Sequence, residues 1–198
     1  MSEYAGELIM REKKGILIVV SGFSGAGKGT LMKKLMQDYD NYALSISATT
    51  RQPRVGEEDG REYFFKTKDE FEKMIARDEL IEYARYVENY YGTPKQYVME
   101  QLEAGKDVIL EIEIQGALKV KEKYPDTLLM FVTPPSAQVL KDRLVGRGTD
   151  APEVIESRIA KAEFELSFAD KFDVVIVNDE LEKAEAETLK IIQDFIAK

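Results

Sequence analysis

The sequence predicts an α/β protein in three layers, a central parallel sheet between helices, with a small inserted lobe and a helical lid. Three observations carry this. Short apolar strands alternate with amphipathic helices, a glycine-rich turn joins the first strand to the first helix, and two stretches, 47–93 and 138–162, break the alternation. At 198 residues and roughly 100–200 residues per domain, one domain is expected. It would span 15–198, with core segments 15–46, 94–137 and 163–198. Residues 1–14 are charged and lack an apolar run, so they read as an extension rather than a signal peptide.

The first strand is expected over Gly15–Val20, an apolar run of the kind buried on both faces of a parallel sheet. A helix follows from about Lys28 to Asp38. Within 47–93 the signals are turns, several aromatics and a helix opened by Thr67-Lys68-Asp69-Glu70, a capping box. Strands recur at Asp107–Ile112, Thr127–Val132 and Phe172–Val177, the first of them followed by a helix from about Gln115 to Lys123. In 138–162, Arg143, Arg147 and Arg158 flank Gly146, Gly148 and Pro152, the pattern of a glycine-interrupted helix pair able to move. The last helix, about Leu181–Ala197, places Leu181, Ala184, Thr188, Ile191, Ile192 and Phe195 on one core-facing stripe.

Composition narrows the chemistry. The chain is 44 % hydrophobic and 33 % charged with a net charge of −9, which fits a soluble globular protein and gives no general attraction for nucleic acid or an anionic membrane. Neither is expected as a partner, and the expected location is cytoplasmic. With no Cys there is no thiolate zinc site or cysteine nucleophile, and with no His there is no histidine base or imidazole ligand. Lysine, arginine, carboxylates, hydroxyls and backbone amides remain. Phosphoryl transfer is the leading reaction that needs only these and a hard cation.

Ser21-Gly22-Phe23-Ser24-Gly25-Ala26-Gly27-Lys28-Gly29-Thr30 lies between strand and helix, the context of a phosphate-binding P-loop. Its glycines let N–H groups turn around a phosphate, the helix N-terminus faces it, and Lys28 would reach the β- and γ-phosphates. Gly29 stands where the motif usually has a hydroxyl, so Thr30 is the only local candidate to help hold Mg²⁺. Further on, Arg51 and Arg54, held by Pro53, form either a fork around a second phosphate or a solvated polar loop. Tyr63 and Tyr91 either donate phenolic hydroxyls to that phosphate or belong to the core. Glu111, at a strand end, either holds Mg²⁺ through water or is simply solvated.

The P-loop, the run from Ser47 through Thr50, Arg51, Pro53 and Arg54 to Glu57, the Glu82-Tyr83-Ala84 and Asn89-Tyr90-Tyr91-Gly92-Thr93 segments, Gln115-Gly116 and Arg143-Leu144 to Thr149 together resemble guanylate kinases. The resemblance runs in one order from about Gly15 to the C-terminus. It implies a P-loop kinase fold whose lobe 47–93 binds GMP and whose lid 138–162 closes over ATP. Ser24, Gly25, Ala26, Gly27, Lys28, Gly29 and Thr30 would hold ATP, with Asn178 near the adenine. Arg51, Arg54, Tyr63 and Tyr91 match positions that bind the GMP phosphate, and Glu57, which closes that run, is expected among the GMP-binding residues. Ser47, Glu82, Thr93 and Glu113 match positions that read guanine, and Glu113 stands where many relatives carry Asp. Lys28, Arg51, Arg143, Arg147 and Arg158 would carry the catalytic charge stabilisation.

The implied reaction is ATP + GMP giving ADP + GDP with Mg²⁺. Its partners are ATP and GMP, with dGMP as a further acceptor and self-association left open. Guanine presents two donors to a carboxylate where adenine presents an acceptor, so Glu82 and Glu113 would discriminate between them. Two rival readings stand beside this one. A P-loop kinase of another small acceptor is suggested by Gly-Lys-Gly-Thr at 27–30, and a non-catalytic binding module by the guanylate-kinase-like domains of scaffold proteins.

Overall fold

The structure is a computed structural model that describes residues 14–86, 88–146, 148 and 151–198. The expected extension, apart from Lys14, and the expected lid arginine Arg147 lie outside the described residues.

Elements follow in the order β1 (Leu17–Gly22), α1 (Lys28–Asp38), β2 (Tyr42–Leu44), β3 (Ala48–Thr49), β4 (Phe64–Phe65), α2 (Lys68–Ala76), β5 (Leu80–Tyr86), β6 (Asn89–Pro94), α3 (Lys95–Glu103) and β7 (Asp107–Glu111). Then come α4 (Ile114–Lys123), β8 (Leu128–Thr133), α5 (Ala137–Gly146), α6 (Pro152–Leu166), a 3₁₀ turn at Ala169–Lys171, β9 (Val174–Val177) and α7 (Leu181–Ile196).

Five strands form an all-parallel sheet in the order β2-β7-β1-β8-β9. The inner strands are continuous apolar runs because helices cover both faces: Ile18, Val19, Val20, Val108, Ile109, Leu129 and Phe131 have no exposed surface. The edge strand β9 alternates instead, with Ile176 buried while Val175 and Val177 remain exposed. Buried Asp107 ties the sheet at its base, accepting from the Ile16 backbone N–H at 3.0 Å and from Asn41 Nδ2 at 3.3 Å.

A second sheet, β4-β3-β6-β5, forms the inserted lobe. Here β5 and β6 make an antiparallel hairpin whose register shifts between Leu80 and Tyr83. Leu80, Ile81 and Glu82 are consecutively buried, Leu80 in the lobe's small core with Phe71 and Ala48, and Ile81 in the main core. The strand thereby stitches the two cores together and has no solvent face at Glu82. The expected capping box opens α2: Thr67 Oγ1 accepts from the Glu70 N–H at 3.2 Å, and Glu70 Oε2 accepts from the Thr67 N–H at 2.7 Å.

Differences from expectation are local. The first strand starts at Leu17 and runs to Gly22, because Gly15 hydrogen-bonds Leu102 rather than joining the ladder. β9 begins at Val174 because Phe172 caps the preceding 3₁₀ turn, its N–H donated to the Ala169 carbonyl. Three-residue β2, two-residue β3 and β4 and the whole β5–β6 hairpin are additional strands. The glycine-interrupted helix pair is present as α5 and α6, with α6 reaching Leu166.

Candidate active site

Ligands of open parallel sheets bind outside the carboxyl ends of the strands, where the order reverses. In this chain the loops after β1 and β7 open there into one cavity of about 500 Å³. Its lining includes Lys28, Ser24, Glu111 and Arg158 together with Ser47, Tyr63, Glu82, Tyr91 and Glu113.

The loop after β1 is shaped by its glycines. Gly27 sits at φ 87° as the N-cap of α1, where a side chain would be strained and its Cβ would strike Asn178 Nδ2. Asn178 Nδ2 donates to the Ala26 carbonyl at 2.9 Å, and Arg143 donates to the carbonyl of Asn178 at 2.8 Å and to that of Ala26 at 3.4 Å. Arg143 and Asn178, expected over the ATP phosphates and near the adenine, thus clamp the back of the loop. Lys28 Nζ arches over its front, donating to the carbonyls of Gly22 at 2.8 Å and Phe23 at 3.0 Å. Arg158, from α6, donates to Ser24 Oγ.

Glu111 ends β7, exposed, with Oε2 3.6 Å from where a Cβ on Gly29 would stand. Thr30 is exposed in the first turn of α1. Among the described residues no three His, Cys, Asp or Glu cluster as a metal site. A cation here would therefore take most of its oxygens from a ligand's phosphates and water, which suits Mg²⁺.

In the loop after β3, Arg51 is clamped to Glu57 by two parallel contacts of 3.0 Å, Nη1 to Oε2 and Nη2 to Oε1. Glu57 also accepts from the Arg54 backbone N–H at 2.7 Å, so its carboxylate organises the loop. The Arg51 guanidinium lies 5.3 Å from the centroid of Tyr63, whose ring stands edge-on to Tyr91 at 6.1 Å. Burial first, then the neighbouring Tyr91, holds the Tyr63 phenol above its ordinary pKa, keeping it a donor. Arg51, Tyr63 and Tyr91 are brought together, while Arg54 is exposed.

The base-reading candidates also converge. Glu82 is 8 % exposed and accepts from Thr93 Oγ1 at 2.9 Å. Burial raises its pKa, opposed by the Thr93 hydrogen bond and the charge of Lys119. A Cβ on Gly116 would stand 2.9 Å from Glu82 Oε2, so the glycine of Gln115-Gly116 makes room for that carboxylate against α4. Glu113, the N-cap of α4, pairs through Oε2 with Lys161 Nζ at 3.1 Å. Lys161 and its buried partner Glu165 escaped the reading of the sequence. Their signal was the spacing of Arg158, Lys161 and Glu165 along one helix face.

A P-loop at the end of a parallel strand, sharing one cavity with Tyr63, Tyr91 and the buried carboxylate of Glu82, defines the class: a P-loop phosphotransferase. Comparison with known proteins specifies it further. The family profile described as guanylate kinase matches residues 14–197. The chain is 53 % identical over 184 residues to guanylate kinase from Lactococcus lactis, covering 93 % of this chain and 89 % of the relative. It is 53 % identical over 175 residues to that of Halalkalibacterium halodurans, covering 88 % and 86 %. A crystal structure of guanylate kinase from Anaplasma phagocytophilum superposes with a TM-score of 0.74 at 30 % identity, covering 92 % of this chain and 86 % of that one. The chain belongs to the guanylate kinase family.

Proposed function

We infer that the cavity joins the two substrates of this family's reaction, with ATP on the loop after β1 and GMP in the inserted lobe. The chain is an ATP:GMP phosphotransferase. A GMP phosphate oxygen attacks the γ-phosphorus of ATP, the bond from that phosphorus to the β-bridging oxygen breaks, and ADP leaves. The attacking phosphate, with a second pKa near 6, is already largely a dianion at neutral pH. It needs no general base, in keeping with a chain that has no histidine.

The site residues then take these roles. The loop residues 24–30 surround the ATP phosphates. Because the C=O and N–H of a trans peptide point opposite ways, anchoring the Ala26 carbonyl on Asn178 turns the Gly27 N–H to the other side, available to an anion. Lys28 would exchange its loop carbonyls for phosphate oxygens, and Arg158 would move from Ser24 onto the transferring group. Arg143 holds the loop, and Arg147 completes the lid. Arg51, set by Glu57, together with Arg54, Tyr63 and Tyr91, binds the GMP phosphate. Glu82 and Glu113 accept from the guanine donors, with Ser47 and Thr93 beside them.

Mg²⁺, held by Glu111 through water and by Thr30, would neutralise charge on the phosphates. Segments 47–93 and 138–162 serve as acceptor lobe and lid. A cytoplasmic location belongs to the same reading; among the described residues no helix is long and apolar enough to cross a membrane.

The observation that carries this account is that one cavity is lined by both Lys28 and Glu82. A coupled ADP-release assay with ATP, Mg²⁺ and GMP, dGMP, AMP, CMP or UMP tests it. Release with GMP, alone or with dGMP, is expected. Release with AMP instead contradicts the guanine assignment, and no acceptor-dependent release favours the binding-module reading.

A further inference from the structure

Helix α6 presents Arg158, Lys161 and Glu165 on one face, spaced by three and four residues. Arg158 Nη1 hydrogen-bonds Ser24 Oγ on the phosphate loop. Lys161 Nζ lies 3.1 Å from Glu113 Oε2 and 3.2 Å from Glu165 Oε1. One rigid element therefore touches the donor side through one residue and the acceptor side through another, and all these residues line the same cavity.

We propose that Lys161 is a positioning residue that orients the Glu113 carboxylate from the lid helix and so couples occupancy of the ATP site to affinity for GMP. The proposal rests on the reading of Glu113 as a guanine acceptor. An exposed ion pair alone would fix little. Lys161, however, is gripped from behind by Glu165, which is only 8 % exposed. Burial works against the Lys161 ammonium, and the attraction and hydrogen bonds of Glu113 and Glu165 outweigh it, raising its pKa. A carboxylate offers about four lone-pair sites, so Glu113 can accept from Lys161 and from the ring donors of guanine together. Arg158 and Lys161 are about 4.5 Å apart along the helix axis, so a shift that draws Arg158 onto ATP phosphates resets Lys161 against Glu113. Linkage makes the effect reciprocal.

Calorimetric titration of the full chain with GMP tests this, alone and with saturating Mg²⁺ and the β,γ-imido analogue of ATP. In the wild type the analogue should tighten GMP binding by about fivefold or more. Lys161→Gln should bring that ratio towards one, and Lys161→Arg, which keeps the charge, should retain most of it. A wild type without tightening, a Lys161→Gln variant with the wild-type ratio, or a Lys161→Arg variant as impaired as Lys161→Gln overturns the proposal. Failure of the wild type to bind GMP at all would overturn the acceptor-site reading beneath it.

Discussion

Thr93 Oγ1 donates to Glu82 Oε1 at 2.9 Å between two residues with almost no exposed surface. The hydroxyl favours the charged form of a carboxylate whose burial favours the neutral one. A hydrogen bond to a charged group contributes about 1.5–3 kcal/mol. Thr93→Val, similar in shape and lacking the donor, should therefore lower kcat/KM for GMP by about tenfold or more while leaving KM for ATP within twofold. Steady-state kinetics with each substrate varied in turn reads both.

Gly116 makes the complementary case. Alanine there would improve helix propensity by up to about 1 kcal/mol, yet its Cβ would stand 2.9 Å from Glu82 Oε2. The atom in the way is the end of a flexible side chain, so the fold accommodates it by moving the carboxylate. Gly116→Ala should keep its thermal unfolding midpoint within a few degrees of wild type and raise KM for GMP about tenfold. A large loss of stability without a change in KM would show that α4, and not Glu82, absorbs the contact.

The raised pKa of Glu82 sets a pH dependence. The folded protein disfavours the ionised form, so the stability this group contributes is present below its ordinary pKa and lost as pH rises through the raised value. Acceptor binding runs the other way, since guanine donors need the carboxylate. Affinity for GMP should therefore begin to fall, on acidification, at a higher pH than an ordinary glutamate would impose, and GMP binding near that pH should release protons. Calorimetry in buffers of different ionisation enthalpy measures the release, and Glu82→Gln should reduce it to the part that comes from the GMP phosphate, whose second pKa is near 6.

At the donor loop, Gly27→Ala would place a side chain at φ 87° and against the Asn178 amide that holds Ala26. The left-handed backbone alone costs roughly 1–2 kcal/mol. The variant should lose at least that much by urea unfolding and raise KM for ATP more than KM for GMP.

Much of the central sheet was legible because β1, β7 and β8 are buried on both faces and read as unbroken apolar runs. The β5–β6 hairpin was not. Its strand from Leu80 to Tyr86 carries Glu82 on the inside, and a buried charge erases the alternation that marks a strand. β2 is only three residues long, too short for a period. At the site, the phosphate loop and the residues drawn together around Arg51 and Glu82 could be named from motifs. Other arrangements depend on tertiary distance: Glu57 bracing Arg51, Arg143 and Asn178 gripping Ala26, and Lys161 bridging Glu113 and Glu165. Local pattern, even the three- and four-residue spacing of Arg158, Lys161 and Glu165, does not separate such pairs from solvated charges.

The central claim is that Glu82 reads the acceptor base, and Glu82→Gln tests it most directly. The measurement is the ratio of kcat/KM for GMP to that for AMP, in wild type and variant. Glutamine keeps the shape but replaces one acceptor oxygen with a donor that faces the guanine donors. The ratio should fall by at least about a hundredfold, within the discrimination such buried hydrogen-bonding sites achieve, roughly 10⁴–10⁵. An unchanged ratio in a folded Glu82→Gln enzyme would contradict the account and move base recognition elsewhere in the cavity.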